Sequence, residues 1–258
     1  MATNSPLGDE LTWRPLGVDD RLEIERLHLE CFPVHYTAKF YDQAVLGYHT
    51  QRGVKNELFS LLAVEDKGSS VEGTGEQDGG KEDGEPLPSG PRCHPQHTIA
   101  GAIISQLQRV SSYTDHELLD DTARYPLVAY IMTLASTDAY RRRGIASRLL
   151  SSCLAHAHSN RKCGAVYLHV ITYNVAAIAF YSKHGFVRVG TLMDYYFIDG
   201  RNYDAYIYVK YVNGGRAPRG VFEVFGGWVE SAFDSVMSAL GFASVTLIDR
   251  PQHSSGVK

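Results

Sequence analysis

Two groups of residues near the middle of the chain could take part in chemistry. Arg141, Arg142 and Arg143 come directly before Gly144, while Tyr130 and His169 lie in separate stretches rich in Val, Leu and Ile. Arginines and free backbone N–H groups at the start of a helix bind phosphate. A phenol and an imidazole that approach one another can move a proton. The first pattern predicts a phosphate site, and the second is a candidate for acid-base catalysis.

The arginine run needs a strand before it and a helix after it if it is to hold phosphate. Residues 127–135 are apolar and β-branched, as in a strand buried on both faces, and the pattern breaks at Ser136. A helix is then predicted from Ile145 to about residue 159. Gly144 can adopt backbone angles that other residues avoid, and the first helical turn leaves N–H groups aimed at one spot. A solvated Arg-rich turn is the alternative, but the flanking strand and helix favour a diphosphate cradle. The apolar residues of the helix recur at spacings of three and four: Ile145, Leu149, Leu150, Cys153, Leu154 and Ala157.

Period-2 alternation brings the tyrosine and the histidine together. Tyr130 shares one face of its strand with Met132 and Leu134, and His169 lies on a strand predicted over residues 165–171. A strand, helix and strand in succession make the two strands parallel neighbours through a right-handed crossover. The Tyr130 hydroxyl and the His169 imidazole are therefore expected to meet. The alternative is that both are ordinary, satisfied core residues.

Composition limits the class of protein. The 258 residues are 44% apolar, enough for one domain with attachments, and the four cysteines show no C-x-x-C spacing, which favours a reducing compartment. Neither a signal peptide nor an apolar run of about 18 residues is found. The formal charge is −4, of which residues 65–97 carry −5 through eight acids and three bases. The remainder is close to neutral, so nucleic acid is a poor partner.

The pattern of elements divides the chain into a flexible N-terminus (1–9), a catalytic domain (10–215) and a tail (216–258). The acidic, Gly- and Pro-rich residues 65–97 are predicted to be a disordered loop within a hairpin. Asp19-Asp20 and Thr37 are predicted to cap two early helices. The expected order is β-α-α-β-β-β-α-β-α-β-β. Strands are predicted over residues 11–15, 58–64, 98–107, 127–135, 165–171, 186–196 and 203–211, a further helix over 174–184, a turn at Asp199-Gly200, and irregular structure over 108–126.

The tail has an amphipathic pattern. Its apolar residues recur at spacings of three and four, while Glu223, Glu230 and Asp234 fall elsewhere. The domain is complete by about Tyr211, so this stripe has no sheet left to cover, and it could lie in a membrane interface or pack on protein. We favour the membrane, with attachment driven by apolar area and therefore largely insensitive to salt. The stripe comprises Phe222, Phe225, Val229, Phe233, Val236 and Leu240.

Two levels of resemblance follow from these residues. Arg141, Gly144 and Ala146 resemble the [Q/R]-x-x-G-x-[G/A] motif with which GNAT acetyltransferases hold the diphosphate of acetyl-CoA. The chain also resembles the N-terminal acetyltransferase F (NatF) family, nearest to its plant-type members. The resemblance implies an α/β (α+β) GNAT fold, a mixed, mostly antiparallel sheet splayed between its fourth and fifth strands with flanking helices. It rests on residues 32–36, 129–134, 167–170, 174–181, 195–196 and 203–214.

The resemblance also implies roles for individual residues. Tyr130 and His169 match the pair that deprotonates the α-amine through water, and Tyr181 matches the residue beside the thioester sulfur that protonates the thiolate. The cofactor contacts it implies are Leu134, Ala135, Ser136, Arg141, Arg142, Arg143, Gly144, Ile145, Ala146, Ser147, Asn174 and Tyr181. The pocket for the first residue of the peptide is matched by Phe32, Pro33, Val34, Tyr36, Tyr130, Met132, Tyr195 and Tyr196.

The implied activity is transfer of acetyl from acetyl-CoA, without a metal, to protein N-termini that begin with Met followed by an apolar residue or Lys. Many family members carry an acid where this chain has His35, and a neutral His would not attract a basic second residue. Family members lie on the cytosolic side of membranes, the plasma membrane in plant-type and the Golgi in animal members. We expect a peripheral membrane protein, either a monomer or a weak homodimer.

Two other functions remain open from the sequence. A lysine or small-amine acetyltransferase would share the cofactor site, although the Phe32-Pro33 segment and the Tyr195-Tyr196 hairpin argue for an enclosed peptide end. A catalytically silent, membrane-anchored acyl-CoA-binding scaffold is the alternative from another class. Intact Tyr130, His169 and Tyr181 weigh against it.

Overall fold

The computed structural model describes residues 11–51, 53–66, 97–110 and 118–218. Within them, four α-helices flank an eight-stranded mixed sheet, which confirms the fold class expected from the sequence. The elements are β1 (Leu11–Arg14), α1 (Arg21–Cys31), α2 (Ala38–Val45), β2 (Tyr48–Gln51), β3 (Val54–Asp66), β4 (His97–Arg109), β5 (Leu127–Ser136), α3 (Ile145–Ser159), β6 (Cys163–Ile171), α4 (Val175–Lys183), β7 (Val187–Ile198) and β8 (Arg201–Tyr211).

The strands lie in the order β1-β3-β4-β5-β6-β8-β7, with β2 paired to β3 beside this path. Every pair is antiparallel except β5 and β6, which run parallel as predicted. Their pairing extends only from Leu127 with Cys163 to Tyr130 with Tyr167. Beyond these residues β5 pairs with β4 alone and β6 with β8 alone, so the sheet splays open.

Two details of the strands differ from the sequence prediction. The short strand β2 was missed, because YHTQ has no apolar alternation. The splay lies between the same two strands as predicted, and with β2 counted they are the fifth and sixth. The strands flanking the acidic segment pair as a hairpin, but they extend to Asp66 and from His97, beyond the predicted loop boundaries. Residues 67–96 of that segment lie outside the described residues, as do the N-terminus (1–9) and residues 219–258 of the amphipathic tail.

The connection predicted as irregular over residues 108–126 is also more ordered than expected at both of its ends, while residues 111–117 lie outside the described residues. Gln108 and Arg109 belong to β4, and residues 118–126, although without regular structure, place three side chains in the core. The sequence signal was weak because these apolar residues are isolated among charged ones. The three buried side chains are Leu118, Leu119 and Tyr125.

Alternate residues of the central strands build two cores on opposite faces of the sheet. Ile103 packs with α3, while its neighbour Ile104 packs with α1 and α2. Gly101 lets α3 approach closely, since a Cβ there would lie 2.8 Å from Cγ2 of Ile145 and 2.9 Å from the carbonyl oxygen of Ala135. This approach holds the start of α3 against the end of β5.

The predicted helix caps are confirmed in part. The Thr37 side chain accepts a hydrogen bond from the Phe40 amide at 3.2 Å, as expected for an N-cap. Asp20 occupies the cap position of α1 without capping it. Its carboxylate instead binds the Arg14 guanidinium at 2.6 and 2.7 Å and lies 2.9 Å from Nε2 of His97, which ties β1 to the start of β4.

Candidate active site

The turn between β5 and α3 has the geometry of an anion site. Arg142 and Gly144 both have positive φ, 61° and 83°, and a Cβ built on Gly144 would meet no atom within 4 Å. The N–H groups of the first helical turn, Ile145 to Ser147, have no acceptor within the helix. Positive φ angles at a helix start turn successive N–H groups towards one point. The residues present therefore fit a diphosphate.

The side chains around this turn have separate tasks. All three arginines are exposed: Arg141 pairs with Asp138 at 2.8 Å, and Arg143 lies over the Tyr140 ring. The Ile145 side chain is buried in the core, and the Ser147 hydroxyl lies 3.1 Å from Nε2 of His184, at the end of α4. The backbone of this turn is therefore the part that fits the predicted contact, while the side chains of Ile145 and Ser147 hold α3 in place.

The splay exposes the backbone of β5 on one side. Leu134, Ala135 and Ser136 pair with Ile103, Ala102 and Gly101 of β4, and β6 does not pair with them on the other side. These residues are therefore free to bind an extended amide-bearing ligand along the splay. Asn174, predicted as a cofactor contact, caps α4 by accepting from the Ala177 amide at 3.1 Å.

A tyrosine pair converges on the predicted catalytic histidine. The Tyr130 hydroxyl lies 3.3 Å from Nδ1 of His169, as the shared face predicted, and the Tyr195 hydroxyl lies 2.7 Å from the same nitrogen. Tyr196 donates to the His169 carbonyl oxygen at 3.4 Å. Sequence reasoning placed Tyr195 in the peptide pocket but missed its bond to His169.

A bulge explains how β7 delivers Tyr195. The register with β8 shifts between Leu192 and Tyr196, where Asp194 has a φ of 53° and its amide donates to the Asp204 carboxylate at 2.9 Å. A bulge changes which face a following side chain occupies. Strict alternation along the sequence could not locate it.

The aromatic surroundings change the proton affinity of the cluster. Desolvation lowers the pKa of His169 to about 3, so the imidazole is neutral at physiological pH although it is partly exposed in the splay. Burial, together with neighbouring tyrosines, raises the pKa of Tyr195 and Tyr196 well above 10. Burial likewise raises the pKa of Tyr181, which keeps this phenol protonated and able to donate.

The predicted peptide pocket is formed by two segments that meet across the splay. Val34, from the α1–α2 connection, packs with Ile171 and Ile198, and the Tyr36 hydroxyl donates to the Met132 carbonyl oxygen at 3.4 Å. Pro33 is exposed at the rim. Phe32, Tyr36, Tyr196 and Tyr203 pack around the same contact.

Four further polar residues near the cluster were missed by sequence reasoning. Gln106 and Gln108 are buried on β4, and they connect His49 to Tyr167 beside Tyr130. The available signal was the pair of glutamines at period 2 in an otherwise apolar strand. Among the described residues, no group of three His, Cys, Asp or Glu side chains could hold a metal ion.

The fold and the site define a GNAT-type acetyltransferase. Residues 96–186 match the model of the acetyltransferase (GNAT) family. The chain is 38% identical over 225 residues to N-alpha-acetyltransferase 60 of Drosophila melanogaster, covering 81% of this chain and 72% of the relative. It is 29% identical to histone acetyltransferase MCC1 of Arabidopsis thaliana, over 88% of this chain and 82% of the relative.

Solved structures agree with this assignment. Arabidopsis thaliana NAA60, in crystal structures with acetyl-CoA and with a bisubstrate analogue, is 26% identical with a TM-score of 0.60, over 79% of this chain and 99% of the other. The chain belongs to the N-alpha-acetyltransferase 60 family, and it is an N-terminal acetyltransferase.

Proposed function

We propose that the splay between β5 and β6 binds acetyl-CoA from one side and a protein N-terminus from the other, with the α-amine delivered to the Tyr130–His169–Tyr195 cluster. The observation that carries this proposal is that one gap in the sheet joins the anion-binding turn to the tyrosine and histidine cluster. Acetyl-CoA, when bound, supplies the acetyl group as a thioester. The first-turn amides of α3 hold its diphosphate, and the unpaired side of Leu134 to Ser136 holds its amide arm.

The lowered pKa of His169 bears on whether the cluster deprotonates the free α-ammonium or only orients the neutral amine. Moving a proton from an α-ammonium of pKa about 8 to an imidazole of pKa about 3 costs about 7 kcal/mol. Losing that proton to water at pH 7 costs only about 1.4 kcal/mol, because roughly a tenth of α-amines are neutral. The amine therefore reacts from its neutral form, and His169 and Tyr130 orient it.

Although it is a weak base, His169 can still accept a proton later in the reaction. The attacking nitrogen becomes far more acidic as it bonds to the thioester carbon, so the cluster can accept its proton at that moment. Tyr181 is buried and stays protonated, and we assign to it the donation of a proton to the departing sulfur. Positioning of amine and thioester supplies most of the acceleration.

The substrate preference follows from the apolar pocket and from His35. The pocket is lined by aromatic and aliphatic side chains, which suit an initiator Met. His35 is partly exposed and brings no carboxylate to the second residue of the peptide. We therefore propose Met followed by an apolar residue as preferred over Met-Lys. A His35→Glu variant should raise kcat/KM for Met-Lys peptides selectively.

The activity is tested with one peptide sequence in two forms. A peptide beginning Met-Leu and containing one internal lysine is incubated with acetyl-CoA, once with a free and once with a blocked α-amine. Acetylation of the free form alone supports the proposal. Equal acetylation of the blocked form would favour a lysine acetyltransferase, the candidate that similarity to MCC1 keeps open.

A membrane location is the remaining part of the proposal. None of the helices in the described segments is both long and apolar enough to span a membrane. The tail follows β8, which finishes at the end of the sheet opposite the α3 N-terminus. There the Asp120 amide donates to the Arg216 carbonyl oxygen at 3.0 Å, and the described residues stop at Pro218. The cleft therefore opens at the other end of the sheet from Pro218, the last described residue.

The end of the domain where β8 finishes is basic, and we call it the basic edge. Five exposed bases lie there against the acids Asp120 and Asp121, and none of the five forms an ion pair within the part of the chain that the structure describes. Exposed cations beside an amphipathic segment attract anionic lipid. The bases are Arg109, Arg124, Arg161, Lys162 and Arg216.

Charge reversal at this edge tests its contribution. Arg161→Glu with Lys162→Glu should weaken cosedimentation with vesicles that contain phosphatidylserine and leave binding to pure phosphatidylcholine unchanged. Arg26→Glu with Arg201→Glu makes the same charge change away from this end of the sheet, on α1 and at the β7–β8 turn, and serves as the control. Equal loss in both variants, or none in either, would remove the basic edge from the proposal.

A further inference from the structure

Tyr130 lies in a row of residues that crosses the sheet. Its Cα pairs with Gln106 of β4 on one side and with Tyr167 of β6 on the other. Directly paired residues project to the same face of a sheet, so the three side chains lie next to each other. Gln106 is 1% exposed and Tyr167 is 6% exposed. Tyr130 is thus held between a buried amide and a second phenol.

A continuous chain of hydrogen bonds passes the base of Tyr130. Nδ1 of His49 lies 2.9 Å from Oε1 of Gln106, Nε2 of Gln106 donates to Oε1 of Gln108 at 3.0 Å, and Nε2 of Gln108 donates to the Tyr167 hydroxyl at 2.8 Å. Gln108 pairs with Val128, two residues before Tyr130. The chain therefore connects both neighbours of Tyr130 on the same face.

The chain has a single direction. An amide oxygen can only accept, so Nδ1 of His49 carries the proton, and each amide is then fixed in turn. The Tyr167 oxygen receives a hydrogen bond from Gln108, and its own proton must point elsewhere. The Tyr167 ring lies 4.9 Å from that of Tyr130 and 5.8 Å from that of His169. Burial lowers the pKa of His49, which keeps it in the neutral state.

We propose that the chain His49–Gln106–Gln108–Tyr167 positions Tyr130 for acetyl transfer by fixing the side chains on both sides of it. Two glutamines in an apolar strand carry a desolvation cost that apolar residues would avoid. A fully bonded chain in a low dielectric offsets that cost and fixes one arrangement. The proposal rests on the proposed function, because Tyr130 acts there on the reacting amine.

A double-mutant cycle distinguishes positioning from a structural role. Gln108→Met removes the two bonds while keeping the length of the side chain, and Tyr167→Phe removes the last hydroxyl. Each should lower kcat by roughly threefold to tenfold, with the KM values for acetyl-CoA and peptide unchanged, and neither should lower kcat further in a Tyr130→Phe background. Ser105→Ala is the control, since Ser105 is a buried polar residue of β4 that faces Cys153 on the opposite face.

A second readout does not depend on turnover. The ¹³C chemical shift of the Tyr130 ζ carbon should change in Gln108→Met and in Tyr167→Phe, and stay constant in Ser105→Ala. Equal losses of kcat in the wild-type and Tyr130→Phe backgrounds, or an unchanged Tyr130 shift in a folded Tyr167→Phe variant, would overturn the proposal. A wild-type protein that acetylates no free α-amine would overturn the proposed function instead. The Tyr130 chemical shift would then still test whether the hydrogen-bond chain positions Tyr130.

Discussion

The Tyr195 hydroxyl lies 0.6 Å closer to Nδ1 of His169 than the Tyr130 hydroxyl does, at 2.7 against 3.3 Å. Tyr195 belongs to the β7–β8 hairpin, and Tyr130 belongs to the strand that leads to the cofactor turn. His169 therefore joins the peptide side of the cleft to the acetyl side. We infer that the shorter bond orients the imidazole and that the longer one leaves the Tyr130 hydroxyl available to the substrate amine.

Replacing each tyrosine by phenylalanine should separate these two roles. Tyr130→Phe removes a hydroxyl and almost no volume, so we expect normal folding and acetyl-CoA binding with kcat roughly 10- to 100-fold lower. Tyr195→Phe should lower kcat and also raise the KM for peptide, because it removes the hydrogen bond that holds the His169 ring in place. Steady-state kinetics on a Met-Leu peptide measure both; an unchanged kcat for Tyr130→Phe at saturating peptide would end its assignment.

The pH dependence of kcat/KM should follow the substrate. His169, with a pKa lowered to about 3, stays neutral from pH 5 to 9 and contributes no inflection near 6.5. Activity should instead rise with pH until the α-amine is deprotonated, near pH 8. Peptides whose α-amine pKa differs by one unit should move the inflection by one unit. An inflection that stays near 6.5 for both peptides would assign the titration to an enzyme histidine.

The sequence predicted the strand, turn and helix that carry the cofactor site, because those elements have long apolar patterns and a glycine that requires a positive φ. It also predicted that Tyr130 and His169 share a face, since alternation holds in β5 and β6. It missed β2, the bulge that delivers Tyr195 and the glutamine chain, which depend on strand pairing across the sheet. The roles of individual site residues and the oligomeric state stay predictions.

Gly144→Glu should abolish acetyl-CoA binding. A side chain would occupy the open space beside the first helical turn, and its charge would repel the diphosphate. Gly47→Glu is a matched control, because Gly47 has a φ of 73° and similarly open surroundings after α2. Calorimetric titration should detect binding only in the control. Wild-type affinity in the folded Gly144→Glu protein would exclude the diphosphate site.

His28 should make the domain sensitive to acid. It is buried among Phe32, Tyr36, Phe40 and Tyr41, neither ring nitrogen has a hydrogen-bond partner among the described residues, and burial lowers its pKa to about 3. Because the folded pKa lies below the unfolded value of 6.5, the unfolded state binds more protons, and stability falls as the pH drops below 6.5. Between pH 7 and 5 the loss due to His28 is about 2 kcal/mol.

A His28→Leu variant tests this assignment by urea unfolding at pH 7 and at pH 5. It should be as stable as the wild type at pH 7, since no bonded partner is lost, and lose less stability on acidification. His158→Leu, an exposed position on α3, is the control. If His28→Leu and the wild type lost the same free energy between the two pH values, the acid sensitivity would lie in other residues.

Deleting residues 219–258 should release the protein from membranes and preserve its activity. The deletion retains Arg216, whose carbonyl oxygen binds the Asp120 amide, and Asn213, whose side-chain amide donates to the carbonyls of Asn160 and Cys163 at 3.0 Å each. The hydrogen bonds at the end of the sheet where β8 finishes are therefore kept. The cleft, at the opposite end of the sheet, is not changed by the deletion. Acetylation of a Met-Leu peptide should be unchanged, while cosedimentation with vesicles is lost except for the salt-sensitive part due to the basic edge. A truncated protein that still binds vesicles in high salt would show that the stripe is not the membrane anchor, and one that unfolds would show that the stripe packs on the domain.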